Sequence, residues 1–117
     1  METRFVKKPW GHELIFALTE KYVGKVLHIN KGEALSLQYH NLKDETIHIQ
    51  KGKINFLTGD KPGASMHEQI LSEGMSYHIK PKLLHRMIAL EDTDILEVST
   101  PELDDVVRLE DRYGRNS

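Results

Sequence analysis

Short runs rich in β-branched and aromatic residues, each closed by a turn signal, dominate the chain: 25–29 (KVLHI), 35–40 (LSLQYH), 45–50 (ETIHIQ), 53–58 (KINFLT), 66–71 (MHEQIL), 75–79 (MSYHI), 85–90 (HRMIAL) and 94–99 (DILEVS). Between them lie 30–32 (NKG), 41–44 (NLKD), 51–53 (KGK), 59–63 (GDKPG), 72–74 (SEG) and 80–82 (KPK). Strands of about six residues recurring roughly every 8–12 positions are the pattern of an all-β sandwich or barrel. The middle of the chain has no amphipathic helical period. The segment 101–109 (PELDDVVRL) carries acidic residues early and apolar ones later, which predicts a short helical or irregular C-terminal tail. Repeats and linker-like stretches are absent, so residues 1–117 are expected to form a single domain.

Size and charge narrow the function classes. A chain of 117 residues can bury roughly two-thirds of the surface its unfolded form exposes, enough for one core. No apolar run approaches the roughly 18 residues of a membrane helix, so no membrane association is expected. Residues 1–8 (METRFVKK) lack the apolar stretch of a signal peptide, which predicts a cytoplasmic location. Sixteen Lys and Arg against eighteen Asp and Glu leave a net charge of −2, with no basic field for nucleic acid. With no Cys, any metal must be held by nitrogen and oxygen ligands.

One stretch has that chemistry. In 35–52 (LSLQYHNLKDETIHIQKG), Gln38 and His40 stand two apart on a strand and share a face with Ser36. Glu45 opens the next strand after a turn, with Ile47 and Ile49 on its own face, and can swing back toward that pair. His85 begins a later strand with Met87 and Ala89 on its face, and supplies a fourth ligand if that strand lies beside the first hairpin. Two imidazoles, a carboxylate and an amide oxygen suit one divalent ion (Zn, Fe(II), Mn or Ni) with positions left open to water or substrate.

The same residues carry a family resemblance. Gly32, Gln38, His40, Glu45 and Gly52 are spaced as in the first cupin motif, with Gln38 where most cupins have their first His, and 74–85 resembles the second motif. The His85-Arg86 pair, 8–13 (KPWGHE), 35–40 (LSLQYH) and 104–115 (DDVVRLEDRYGR) are similar to the cupin domain of type II phosphomannose isomerases, often fused to mannose-1-phosphate guanylyltransferases. Lys80 stands where the second motif has its usual Pro, and Ala89 where it ends in Asn. The resemblance implies an antiparallel jelly-roll β-barrel of six or more strands. It further implies that Gln38, His40, Glu45 and His85 hold one divalent metal, zinc first, and that the activity interconverts mannose 6-phosphate and fructose 6-phosphate. A length of 117 residues leaves no guanylyltransferase half, so nucleotide-sugar synthesis is not expected of these residues alone.

Moving a proton between C2 and C1 of a sugar phosphate needs a polarised carbonyl, a base and cations for the phosphate. For the phosphate the sequence offers Lys31, Lys80, Lys82, Arg86, Arg108 and Arg115, of which Arg86 and Arg108 are favoured, although on a regular strand Arg86 points away from the face of His85. Glu13, His48 and Lys80 are the candidate bases. In this reading Arg86 and Lys80 are catalytic, and Arg108, Lys31 and Arg115 bind substrate. His12, His28, His48, His67 and His78 read as hydrogen-bonded strand or loop residues, Trp10 as a plug at the barrel end or a dimer contact, and 91–94 (EDTD) as a solvated turn. The tail 108–115 (RLEDRYGR) reads as a cap with Arg108 paired to Glu110 or Asp111 and Tyr113 packed on the body. Strands apolar on both faces, as in 35–40 and 75–80, suggest a homodimer. Two other classes stay open: a metal cupin of different activity such as an Fe(II) oxygenase, and a non-catalytic sugar-binding or regulatory cupin.

Overall fold

The computed structural model describes residues 3–115, and among them every regular element is a strand. In chain order these are β1 Arg4–Lys8, β2 Gly11–Leu18, β3 Val23–Ile29, β4 Leu37–Tyr39, β5 Glu45–Lys51, β6 Lys53–Gly59, β7 His67–Ser72, β8 Ser76–Ile79, β9 Leu84–Ala89, β10 Thr93–Ser99 and β11 Val107–Glu110. They form two antiparallel sheets, ordered β1-β2-β3-β10-β5-β8 and β11-β4-β9-β6-β7. The sheets face each other as a jelly roll. Among the described residues no helix is long and apolar enough to cross a membrane.

Period-2 alternation decides which residues meet between the sheets. Ile47 and Ile49 on β5, Ile95 on β10 and Leu27 and Ile29 on β3 point inward from one sheet, and Ile54 and Phe56 on β6 and Met87 and Ala89 on β9 from the other. Each such side chain contributes about 1.5–3 kcal/mol relative to exposure. Trp10, at the turn between β1 and β2, is buried in this core, and its carbonyl accepts the Asn30 amide. That fits a plug at the barrel end.

Three strands depart from the sequence expectation. β1 and β2 lie in 3–18, where only Phe5 and Val6 break a charged start and where 14–17 (LIFA) is continuously apolar, so no alternation marks them. Of the helical or irregular C-terminal tail expected, the irregular form is found among the described residues. Residues 101–106 run as bends and turns into β11, which pairs antiparallel with β4. The acidic residues there serve another loop: the Asp105 carboxylate accepts the backbone N–H groups of Asn41, Leu42 and Lys43 at 3.0, 2.6 and 2.9 Å. The tail packs through Tyr113 on the core, as expected, and adds contacts of its own. Arg115 makes a bidentate pair with Asp111 at 2.8 and 3.1 Å, Glu110 lies 3.6 Å from Arg86, and the Tyr113 hydroxyl donates to Glu33. The segment 91–94 is more than a solvated turn, since Thr93 is fully buried and Asp94 pairs with His28 at 2.6 Å.

Gly52 closes the hairpin of β5 and β6 at φ +89°, in the left-handed region that favours glycine. A Cβ there would sit 2.5 Å from the Asp92 carbonyl oxygen and 2.6 Å from Thr93 Oγ1. Gly52→Ala therefore carries both a φ penalty and a clash with backbone, and a loss of about 1–3 kcal/mol is expected. A thermal or denaturant melt of the variant checks it; an unchanged midpoint would show that the turn relaxes freely.

Candidate metal centre and cavity

The two sheets approach at one end of the molecule, and three ligand-type side chains meet there. Gln38 on β4 stands directly opposite His85 on β9, and His40 follows the last residue of β4. Glu45 opens β5 in the other sheet. The imidazoles of His40 and His85 and the Glu45 carboxylate present donor atoms within 4.8 Å of one another, and all three residues are buried. His40 Nε2 lies 3.7 Å from Glu45 Oε2, and His85 Nε2 lies 3.7 Å from Glu45 Oε1.

Hydrogen bonds on the far side of each ring fix its tautomer. His40 Nδ1 donates to the Asp105 carbonyl at 2.5 Å, and His85 Nδ1 donates to the Leu83 carbonyl at 3.0 Å. Each Nε2 therefore turns a lone pair inward. Both are buried without a hydrogen-bond partner, and Glu45 Oε2 takes no well-aligned hydrogen bond even from Lys43, whose Nζ is 2.9 Å away. Buried polar atoms left without partners are costly. Two such nitrogens, each 3.7 Å from an oxygen of the Glu45 carboxylate, with donors from all three residues within 4.8 Å of one another, fit a divalent metal ion. Gln38 lines the same cavity; its Oε1 accepts from Ser36 Oγ at 3.0 Å and keeps a second lone pair.

Electrostatics support that donor set. Burial pushes the His85 imidazole down to about 4, against the pull of Glu45, so the ring is neutral and ligand-competent at pH 7. Burial alone would raise Glu45, but the neighbouring His40 and the Lys43 charge bring it down to about 2. Burial works against the Lys43 charge too; Glu97 and Glu45 outweigh it and hold Lys43 protonated.

Beside these residues opens a cavity of about 250 Å³, at the small end for a ligand cleft and sized for one sugar-like molecule. Its inner wall on the six-stranded sheet is a stripe of buried charge. Lys43 Nζ lies 3.2 Å from Glu97 Oε2, Lys25 Nζ 4.0 Å from the same oxygen, and Lys25 Nζ 3.5 Å from Glu13 Oε1. Burial and the Glu45 charge push the Glu97 carboxyl up, while Lys43 and Lys25 pull it down. The rim is cationic, with Arg4 and Lys8 from β1, Arg108 from β11 and Arg115 from the tail.

Of the residues singled out in the sequence, Gln38, His40, Glu45, Arg108, Arg115 and Glu13 border this cavity, and His85 completes the donor cluster with His40 and Glu45. Lys31, Lys80, Arg86 and His48 do not border it. Arg86 lies on the outward face of the regular strand β9, donating from Nε to the Leu35 carbonyl at 3.0 Å. Lys31 is exposed and held through its backbone by Asp92, and Lys80 is exposed on the turn after β8. His48 and His78 hydrogen-bond Ser76 and Asp44. Sequence reasoning missed Lys25, Lys43 and Glu97. Lys25 and Glu97 carried a usable signal, because each occupies an inward position of a strand whose next inward neighbours, Leu27 and Ile95, belong to the core.

The low value for His85 sets a pH response of the metal-free protein. The unfolded chain takes a proton on this ring below about 6.5 and the folded one only near 4. Its contribution to stability is therefore whole above pH 6.5 and is lost as pH falls toward 4. Between pH 6.5 and 5 this ring's share of the loss should be roughly 1–2 kcal/mol, and His85→Asn should flatten that leg of the melting-temperature profile. A wild-type profile already flat over that window would contradict a neutral buried imidazole.

Comparison with known proteins agrees with the fold. The chain is 31% identical over 117 residues to mannose-1-phosphate guanylyltransferase ManC of Salmonella typhimurium, covering 96% of this chain and 23% of that protein. It is 29% identical to the xanthan biosynthesis protein XanB of Xanthomonas campestris, covering 96% and 24%. It thus spans about a quarter of the length of these curated relatives. Among solved structures, oxalate decarboxylase of Bacillus subtilis superposes with a TM-score of 0.79 at 17% identity over 92% of this chain and 30% of that one, a likeness of fold. Residues 2–111 match the family described as mannose-6-phosphate isomerase C-terminal, and the chain belongs to that family of cupin domains.

Proposed function

We propose that the protein is a metal-dependent aldose-ketose isomerase acting on a sugar phosphate, of the mannose 6-phosphate to fructose 6-phosphate type. The observation that carries this reading is the pair of partnerless Nε2 atoms of His40 and His85 beside Glu45, next to a cavity that His40 and Glu45 line and that Arg4, Lys8, Arg108 and Arg115 border. His40, Glu45 and His85 would hold the ion, with Gln38 as a fourth ligand; zinc suits this donor set, and when bound it supplies a Lewis acid for the sugar carbonyl and its neighbouring hydroxyl.

The chain's own residues do the rest. Arg108 stands opposite Gln38 across the β11–β4 pair, so its strand position puts it beside the metal ligands. Arg4, Lys8, Arg108 and Arg115 ring the mouth and suit a phosphate, with Arg115 already oriented by Asp111. A sugar bound with its phosphate at that rim extends its carbonyl end toward the floor. The buried walls exclude water from the reacting carbons. Arg86, Lys80 and Lys31, which lie off the cavity, take no part in this reading.

Proton NMR of mannose 6-phosphate in heavy water, with zinc-loaded and chelator-treated protein, tests it. Zinc-dependent formation of fructose 6-phosphate with deuterium entering the sugar is the expected result. Binding of the sugar phosphate without conversion would favour a non-catalytic cupin, and an inert sugar with metal bound would favour a metal cupin of other activity.

His85→Ala should lose bound zinc and the rise in melting temperature that zinc gives the wild type, since a ligand that binds only the folded state stabilises it by mass action. Unchanged zinc content by atomic absorption would remove His85 from the ligand set.

A further inference from the structure

The geometry points to Glu97 as the base that carries the proton between C2 and C1, an inference that rests on the isomerase reading. Glu97 is 5% exposed on β10, faces inward, and lines the cavity. Both of its ammonium contacts fall on one oxygen: Lys43 at 3.2 Å and Lys25 at 4.0 Å each meet Oε2. Neither contact involves Oε1, and Glu97 borders the cavity, so Oε1 is the oxygen left to face it. Lys43 also touches Glu45 Oε2, so Glu97 stands one ammonium group away from the metal cluster. Glu13, the other cavity carboxylate on this wall, is one ion pair farther out, beyond Lys25. A sugar whose phosphate reaches the rim and whose carbonyl reaches the floor sets its first two carbons nearer Glu97 than Glu13.

The step balances without a co-reactant. Glu97 Oε1 takes the proton from C2 of the open-chain aldose; the C2–H electron pair becomes the C1=C2 bond and the carbonyl pair moves onto O1. Glu97 then returns the proton to C1 from the same side, while the proton on O2 passes to O1 and the C2 carbonyl forms. Lys43 and Lys25 hold the carboxylate in one orientation through Oε2, which leaves the other oxygen aimed for both transfers.

The test uses zinc-loaded full-length protein in heavy water, with zinc stoichiometry and calorimetric binding of mannose 6-phosphate measured beside deuterium exchange at C2. Glu97→Gln is expected to keep zinc and to bind the sugar phosphate within about twofold of wild type, while exchange falls by about 100-fold or more. Glu13→Gln is expected to change exchange by less than about tenfold. Exchange by Glu97→Gln at a rate near wild type, or a large loss confined to Glu13→Gln, overturns the assignment while leaving the isomerase reading standing. If Glu97→Gln loses zinc or fails to fold, Glu97→Asp decides, because it keeps a negative charge between the two ammonium groups and withdraws the oxygen by one carbon. With zinc and sugar bound, it should exchange at least about tenfold more slowly, and wild-type exchange in it refutes the role. Wild-type protein that binds zinc and exchanges nothing overturns the isomerase reading, and the base falls with it.

Discussion

The site hangs on one residue of the C-terminal segment, Asp105. Its carboxylate gathers three consecutive backbone N–H groups, those of Asn41, Leu42 and Lys43, and its own carbonyl accepts Nδ1–H of His40. The loop between β4 and β5 is thereby fixed at both ends of its arc. His40 is turned so that Nε2 points inward, and Glu45 enters β5 two residues after the anchored amides. Those backbone donors hold the Asp105 carboxyl down at about 2, so the clamp stays charged at any physiological pH. Lys82 supports the same loop from the other side. It adopts φ 76° and donates its amide to the His40 carbonyl at 2.7 Å, a strained conformation of the kind that concentrates near functional sites.

The stripe formed by Glu13, Lys25, Glu97, Lys43 and Glu45 has a different energetic character from the apolar core beneath it. Burying charges costs several kcal/mol per ion, and paired charges recover that only in part. Ile or Leu at Lys25 and Glu97 would continue the rows of Leu27 and Ile95 at no electrostatic cost. Under the proposed sugar-phosphate reading the charges form the cavity wall, and their alternation gives each group an opposite neighbour within 4.0 Å.

The sequence made much of this legible, and where it did not the reason is physical. β3 and β5 to β10 were readable because their faces alternate and their turns carry Gly, Asn and Pro. β4 is only three residues long, yet it was placed because Gln38 and His40 share a face. β1, β2 and β11 escaped because β1 is an edge strand with mostly exposed side chains, β2 has a continuous apolar stretch, and the acidic residues before β11 imitate a helix start while one of them clamps a distant loop. The three clustering side chains were visible as residue types at motif spacing. The cations were harder to read, because a Lys or Arg acts where its strand faces, and facing is settled by pairing: β11 beside β4 brings Arg108 to the cavity, whereas the regular register of β9 on β6 turns Arg86 outward.

His85 belongs to the five-stranded sheet and His40 directly follows its strand β4, whereas Glu45 belongs to the six-stranded sheet. The donor cluster is therefore a seam between the two sheets, and the spacing of its donor atoms follows how far apart the sheets stand. Core packing and donor spacing are one mechanical problem in this molecule: a side chain resized between the sheets is felt at the seam.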